Sequence, residues 1–279
     1  MTTIQNATVL VTGGASGIGR NMALRFARRG ARVVIWDINP AGLEATVAEL
    51  KAAGSGDAHA YQCDVTDTGM ISERISQVHA EVGDVDVLIN NAGVVSGDYL
   101  LALTDEQIRR TFEVNTLSLF WMARAVLPSM VERNAGHIVN IASASGFTGV
   151  AKLSDYAASK WAVIGFDESL RVELHQIAPG VRTTVVCPYY INTGMFEGVK
   201  TRFSWLLPIL EEDDVAERVL GAVQRNRSRV VMPPFLKLVP VTRLLPPKLF
   251  DVVANFLGVN RSMEDFVGRA RSTKRLERT

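Results

Sequence analysis

Apolar positions along this chain follow two alternating rhythms. Short runs rich in β-branched residues, namely Ala7–Thr12, Ala31–Trp36, His59–Cys63, Val85–Ile89, His137–Ala142 and Thr183–Cys187, read as strands. Between them the spacing becomes helical. Ile18, Met22 and Phe26 recur at i, i+4 and i+8. Leu43, Val47 and Leu50 form a second stripe, which starts behind an Asn39 cap with Pro40 at the first helical position. Near-continuous apolar strands separated by amphipathic helices predict an α/β fold, a single Rossmann-like doubly wound domain whose parallel sheet carries helices on both faces. The alternation lapses near residue 230, so residues 1–230 are expected to form that domain and 231–279 a C-terminal helical extension. No internal repeat beyond the alternation is present.

Two segments change this picture from fold to chemistry. Thr12-Gly13-Gly14-Ala15-Ser16-Gly17-Ile18-Gly19 joins the first strand to the first helix. Glycines there let the backbone turn sharply and approach a pyrophosphate, while the helix N-terminus supplies N–H groups. A P-loop has a similar gap between glycines, but Arg20 and Asn21 stand where it needs Lys and Ser or Thr. Asp37 ends the second strand, where a carboxylate can accept hydrogen bonds from ribose hydroxyls and would repel a 2′-phosphate. No basic residue sits among Gly14, Ala15 and Ser16, so NAD rather than NADP is the expected cofactor.

Tyr156-Ala157-Ala158-Ser159-Lys160 sets a phenol and an ammonium at i and i+4, on one helix face. A phenol with an ordinary pKa of about 10 is a poor base near neutrality, and a nearby ammonium would lower it. Ser143 follows a strand 13 residues earlier, and its hydroxyl suits a substrate oxygen. Ser145 is a rival for that role. Taken singly, a Tyr/Lys pair on a helix is an ordinary solvated face and a Ser after a strand an ordinary turn.

In combination, and in order, these residues resemble the short-chain dehydrogenase/reductase family over residues 7–230. The matching positions are Thr12–Gly19, Asp64-Val65, Asn90-Asn91-Ala92-Gly93, Asn115, Ser143, Tyr156-x-x-x-Lys160 and Pro188 to Thr193. The resemblance implies that Tyr156 exchanges a proton with the substrate oxygen, Ser143 holds that oxygen, and Lys160 binds the nicotinamide ribose and assists Tyr156. It favours Ser143 over Ser145 by the spacing to Tyr156. It implies that Asn115 positions a water in a relay to Lys160. Gly13, Ser16, Gly17, Ile18, Gly19 and Asp37 would bind the cofactor. Asp64 and Val65 would lie against the adenine, Asn91, Ala92 and Gly93 near the cofactor ribose, and Ile191 and Thr193 at the carboxamide. The family commonly has Pro-Gly where this chain has Pro188-Tyr189, so the backbone there is expected to run differently.

Val34–Asn39 and Cys187–Phe196 look like the branch that holds the epidermal-type retinol dehydrogenases and lipid-droplet 17β-hydroxysteroid dehydrogenases. That resemblance implies a lipophilic alcohol or carbonyl substrate and NAD. It also implies an apolar N-terminal membrane segment in many members, which is not expected here, and a homodimer or homotetramer through the helices that carry Asn115 and Tyr156. Met195, Phe196, Val199, Phe203, Trp205, Leu206 and Leu207 fall in a substrate lid expected at about 190–212. They suit an apolar pocket and equally a core or a subunit interface.

Composition excludes several classes. A formal net charge of +1 supplies no field for nucleic acid. His59, His79, His137 and His175 show no metal spacing and no Cys-x-x-Cys occurs, so no metal is expected. Cys63 and Cys187 make no disulfide framework, and Met1–Ala7 lacks the features of a signal peptide, which points to the cytoplasm. The extension mixes apolar residues between Phe235 and Leu257 with Lys237, Arg243 and Lys248, and ends in a basic stretch from Arg261 to Thr279. That mixture suits peripheral membrane contact. Its prolines suit a helical extension docked on the domain or on a partner subunit. A 3-oxoacyl thioester reductase would share the same catalytic residues, but Asp37 opposes the NADP it would use. A non-catalytic nucleotide-binding regulator would not need Asn115, Ser143, Tyr156 and Lys160 together.

Overall fold

The computed structural model describes residues 1–54 and 57–268. Seven strands form one parallel sheet: β1 (Thr8–Thr12), β2 (Arg32–Asp37), β3 (Ala58–Gln62), β4 (Val87–Asn90), β5 (Gly136–Ile141), β6 (Val181–Pro188) and β7 (Arg229–Met232). Their order across the sheet is β3-β2-β1-β4-β5-β6-β7. The chain therefore winds outward from β1 in one direction and returns to start again at β4, leaving a crevice beyond the strand C-termini where the direction reverses.

The sequence explains both covered faces. Alternate side chains of one strand point to opposite sides. Val9, Val11, Val33 and Ile35 pack with Met22 and Phe26 of α1 (Gly17–Ala27), Leu43 and Leu50 of α2 (Pro40–Ala52), and Val219 of α7 (Glu212–Gln224). Leu10, Val34 and Leu88 face the other way, toward Ile71 and Ile75 of α3 (Thr68–Glu81), Met122 and Val126 of α5 (Ser118–Glu132), and Leu170 of α6 (Ser154–Ile177). Asn39 caps α2 as expected, accepting from the Gly42 N–H at 3.2 Å. Between α4 (Asp105–Phe112) and α5 the helix widens into a π-turn over Glu113–Leu117, which carries Asn115. Strand β7 lacks an expected counterpart and runs through position 230. It is only four residues long and lies at the sheet edge, too short for its periodicity to stand out.

Helix α6 is fastened from below by a polar chain inside the apolar layer. Asn90 Nδ2 on β4 donates to Asn140 Oδ1 on β5 at 2.9 Å, and Asn140 Nδ2 donates to Asp167 Oδ1 on α6, also at 2.9 Å. Thr183 Oγ1 on β6 donates to Asp167 Oδ2 at 3.3 Å. Three neighbouring strands thus set the height of α6 on the sheet. The π-turn region grips its N-terminal half: Thr111 Oγ1 donates to Asp155 Oδ2 at 2.8 Å, and Thr116 Oγ1 to the Ser159 carbonyl at 3.2 Å.

Burial pushes the Asp167 carboxyl up to about 6, against the hydrogen bonds from Asn140 and Thr183 that favour its charged form. A folded-state value above the unfolded one means that the group's contribution is full below the unfolded pKa and is lost as pH rises through the folded one. Asp167→Asn keeps the shape and removes the titration. Urea unfolding should show the variant gaining on the native protein by on the order of 2 kcal/mol between about pH 4 and about pH 7. A pH-independent difference would contradict this account.

Candidate active site

The floor of the crevice is the loop between β1 and α1. Gly13 and Gly17 have φ of +64° and +58°, a region that disfavours side chains. A Cβ on Gly19 would collide with the Gly13 carbonyl oxygen, and one on Gly13 would lie 3.0 Å from both Ala92 Cα and Asn91 Nδ2. Asn91 fixes this packing by donating from Nδ2 to the carbonyls of Thr12 at 2.9 Å and Gly13 at 3.1 Å. The first turn of α1 carries no acidic residue, so its N–H groups and dipole face the cleft unopposed. A backbone that approaches this closely at a helix N-terminus fits a dinucleotide pyrophosphate.

Two carboxylates flank that floor. Asp37 accepts from the Ala15 N–H at 3.1 Å and the Asn39 N–H at 3.0 Å, which holds it at the mouth of β2. Asp64 accepts from the Thr66 N–H at 3.0 Å and Thr66 Oγ1 at 2.8 Å, and pairs with Arg110 at 3.3 Å. Burial alone would raise the Asp64 pKa. The Thr66 and Arg110 contacts outweigh it and hold the carboxyl below its usual range.

Across the cleft, α6 presents Tyr156 and Lys160, both buried at 5% exposure. Lys160 Nζ donates to the Ile141 carbonyl at 2.8 Å and lies 5.7 Å from the Tyr156 ring centroid. Burial pushes this ammonium down to about 8, the nearby Cys187 opposing slightly. Burial likewise holds the Tyr156 phenol above its ordinary value, and a side-chain hydrogen bond with Ser143 works against the rise. Loss of solvent around Tyr156 is the largest of these effects, and Lys160 is not among the groups that shift the phenol. It is Ser143 that meets the phenol, and Ser143 Oγ also accepts from the Ser145 N–H at 3.1 Å.

Asn115 stands behind this wall instead of lining it. Its Nδ2 donates to the Val94 carbonyl at 2.9 Å and to Ser159 Oγ at 3.1 Å, and its Oδ1 accepts from the Val94 N–H at 2.8 Å. Both amide hydrogens are thereby committed to bracing Val94 and α6. A Cβ on Gly93 would meet Asn115 Oδ1 at 3.3 Å and Lys160 Nζ at 3.8 Å, so the two groups flank the same glycine. The other expected residues, Gly13, Ser16, Gly17, Ile18, Gly19, Asp37, Asp64, Val65, Asn91, Ala92, Gly93, Ser143, Tyr156, Lys160, Ile191 and Thr193, all line a single cavity of about 480 Å³. No group of three or more His, Cys, Asp or Glu suited to a metal occurs among the described residues.

Beyond Tyr156 the cavity turns apolar. Phe196 meets the Tyr156 ring edge-on at 5.7 Å and Tyr190 at 5.1 Å. Tyr189, in place of the usual glycine, continues the sheet by donating its N–H to the Met232 carbonyl at 2.8 Å. The far wall comes from the extension, through Phe235, Leu236 and Val239 and through Phe250, Val253 and Leu257. These residues belong to α8 (Val239–Thr242), α9 (Pro247–Phe256) and the turns beside them. The extension is bonded to the lid. Tyr190 OH and Ser262 Oγ lie 2.9 Å apart, the Val267 N–H donates to the Glu197 carbonyl at 2.9 Å, and the Lys200 N–H to the Ser262 carbonyl at 3.2 Å. The described part of the extension therefore docks on its own domain. The basic stretch beyond Gly268 lies outside the described residues. Arg110 and the roof from the extension were missed in the sequence. The only signal for the roof is the apolar spacing of Phe250, Val253 and Leu257 at i, i+3 and i+7.

Residues 7–202 match the family of the short chain dehydrogenases. Epidermal retinol dehydrogenase 2 of Mus musculus is 42% identical over 95% of this chain and 86% of its own length. The 17-beta-hydroxysteroid dehydrogenase 13 of Homo sapiens is 42% identical over 82% of this chain and 76% of its own. Among solved structures, a short chain dehydrogenase/reductase from Burkholderia phymatum in complex with NAD superposes with a TM-score of 0.79 at 27% identity, covering 88% of this chain and 95% of that one.

Lys160 is a buried cation with a carbonyl for its partner and no carboxylate among the causes that shift it. Charge burial of this kind opposes folding. Lys160→Met should raise stability by about 1 kcal/mol at neutral pH, the relief of burial exceeding the lost hydrogen bond. Urea unfolding measures it, and a loss of stability would show that the ammonium is better compensated than its neighbours indicate.

Proposed function

The chain belongs to the short chain dehydrogenase family, and we propose that it is an NAD-dependent oxidoreductase interconverting a lipophilic alcohol and its aldehyde or ketone. One observation carries this reading: Ser143, Tyr156 and Lys160 stand at the junction of a glycine-walled nest and an apolar chamber. The nest suits a dinucleotide, and the chamber suits the body of an apolar substrate. The names of the two relatives, a retinol and a hydroxysteroid dehydrogenase, support the same substrate class. NAD is supported by Asp37 at the end of β2 and by the NAD complex of the structural neighbour.

Bound nicotinamide supplies the site that accepts or gives a hydride at the substrate carbon. The chain's own residues handle the oxygen. Ser143 Oγ and Tyr156 OH form a pair that can grip a carbonyl or hydroxyl from two sides. The neutral phenol donates its proton to a carbonyl oxygen in reduction and is left as a phenolate; in oxidation it must start as the phenolate, which takes the proton of the alcohol. Lys160 offers the cationic neighbour that a developing phenolate requires, and it reaches the cleft beside Gly93, where a ribose would lie. Asn115 acts through Val94 and Ser159 as a positioning residue. Phe196, Tyr189, Tyr190 and Leu207 exclude water from the reacting oxygen and leave the chamber to an apolar substrate.

The exposed side chains Phe120 and Val172, on α5 and α6, suit self-association through those helices. A thioester reductase would have to pass its carrier arm beneath the apolar roof, which offers it little polar purchase.

The reading predicts faster reduction of NAD than of NADP, followed by absorbance, with lipophilic alcohols ahead of short polar ones. Tyr156→Phe should lower turnover by about 10²–10⁴-fold without loss of NAD binding. Dominant turnover of a 3-oxoacyl thioester, or no turnover of any alcohol despite NAD binding, would refute it. Asp37→Ser should shift preference toward NADP by about tenfold or more, since it removes the repulsion of a 2′-phosphate. An unchanged ratio would take Asp37 out of cofactor selection.

A further inference from the structure

Helix α9 is apolar on two sides at once. Phe250, Val253, Ala254 and Leu257 face the chamber. Leu249, Val252 and Phe256, on the adjoining arc, are 48%, 63% and 61% exposed. Only a narrow strip of Lys248, Asp251 and Asn255 is polar. Apolar side chains are exposed on the rest of the extension and the lid too: Val241 and Leu244 are 61% and 85% exposed, and Trp205, beside Phe203, is 80% exposed. Trp205, Phe203 and Phe256 are in ring contact, and a concentration of exposed apolar side chains of this kind is uncommon on a soluble protein and marks a contact.

The charges around it say with what. Lys237, Arg243 and Lys248 are the basic residues between positions 234 and 257, and Asp251 is the sole acidic one. Arg243 lies 5.3 Å over the Phe250 ring and 5.1 Å over Trp161, and Arg202 lies 5.2 Å over both Phe203 and Phe256. Cations riding on an apolar face, with an exposed Trp at its margin, match the boundary between acyl chains and anionic headgroups. A second copy of this chain fits less well, because a two-fold contact would set the basic rims of the two copies against each other.

We propose that the outer face of α8 and α9, with Trp205 at its edge, rests on an anionic lipid bilayer, and that the substrate alcohol enters the chamber from that bilayer. The first half stands on the surface alone, and the second rests on the alcohol dehydrogenase reading. Since α9 is at once the chamber wall and the lipid contact, an alcohol dissolved in acyl chains reaches the site past one helix, without crossing water. No described helix is long and apolar enough to span a membrane, so the contact is peripheral.

The full chain should sediment with vesicles of phosphatidylcholine and phosphatidylglycerol, and less with phosphatidylcholine alone or at high salt. Leu244→Glu combined with Val252→Glu should lower the bound fraction by about tenfold or more. Both side chains lie outside the cavity lining, so turnover of a short, water-soluble alcohol should be unchanged, while turnover of a long-chain alcohol presented in vesicles falls. Lys237→Glu with Lys248→Glu should abolish the preference for phosphatidylglycerol. Failure to sediment, or sedimentation indifferent to the Leu244 and Val252 substitutions, overturns the proposal. Conversion of an oligomer to a monomer by those substitutions, seen by light scattering, overturns it in favour of a second copy. Normal vesicle binding by a protein that turns over no alcohol would sink the enzymatic reading and the delivery step, and leave the lipid contact standing.

Discussion

The position of α6 is the constraint on which the site depends. A helix laid on a sheet through apolar contacts alone could slide by a fraction of a turn at little cost, since dispersion contacts are many and weak. Asp167, held by Asn140 on β5 and Thr183 on β6, removes that freedom. From that anchor the Ser159 hydroxyl falls against Asn115, the Lys160 ammonium against the Ile141 carbonyl, and the Tyr156 hydroxyl against Ser143. Each of these is a polar contact in a layer that otherwise excludes water, where a misplaced partner would leave a buried group unsatisfied. The register of the site is therefore a consequence of polar satisfaction, with apolar packing following it.

The same burial sets the electrostatic character of the cleft. Burial shifts Tyr156 and Lys160 both toward their neutral forms; the phenol stays uncharged, while Lys160, pushed down to about 8, still carries most of its charge near neutrality. At the other end, the glycine floor and the start of α1 supply backbone dipoles for an anion, and Asp37 and Asp64 bracket it with fixed carboxylates. A cofactor with an adenosine at one end, a phosphate bridge in the middle and a redox ring at the other end matches this gradient from polar to apolar along one cavity.

How much of this was readable in the sequence varied with how local the determinant is. The glycine loop, the Asn39 cap, Asp37 at a strand end and the Tyr156/Lys160 pair are each written within a few consecutive residues, and each occupies the position its local pattern implies. The alternation of apolar strands and amphipathic helices was sufficient for the parallel sheet and its two covered faces. Asn140, Asp167 and Thr183 gave no sign, and Asn90 stood out only as the start of the Asn90–Gly93 motif, because their partnership spans four elements and is written in no local pattern. Asn115 was visible as a motif, yet its amide turned out to brace Val94 and Ser159, a geometry that needs the π-turn to be known first. The depth at which Tyr156 is buried was equally hidden, and with it the sign of its shift.

The roof of the chamber is made from one contiguous stretch of chain, from Phe235 to Val259, joined to the lid by Ser262 and Val267. The groups that handle the reacting oxygen lie far upstream, between β5 and α6. The roof and the groups that handle the oxygen thus come from separate lengths of the polypeptide, with the lid residues Tyr189, Tyr190, Phe196 and Leu207 between them. A change confined to the last part of the gene would therefore reshape the roof and leave the oxygen-handling groups as they are. The same separation gives a protein engineer a natural splice point immediately after β7, at which the roof of one relative could be grafted onto the catalytic body of another.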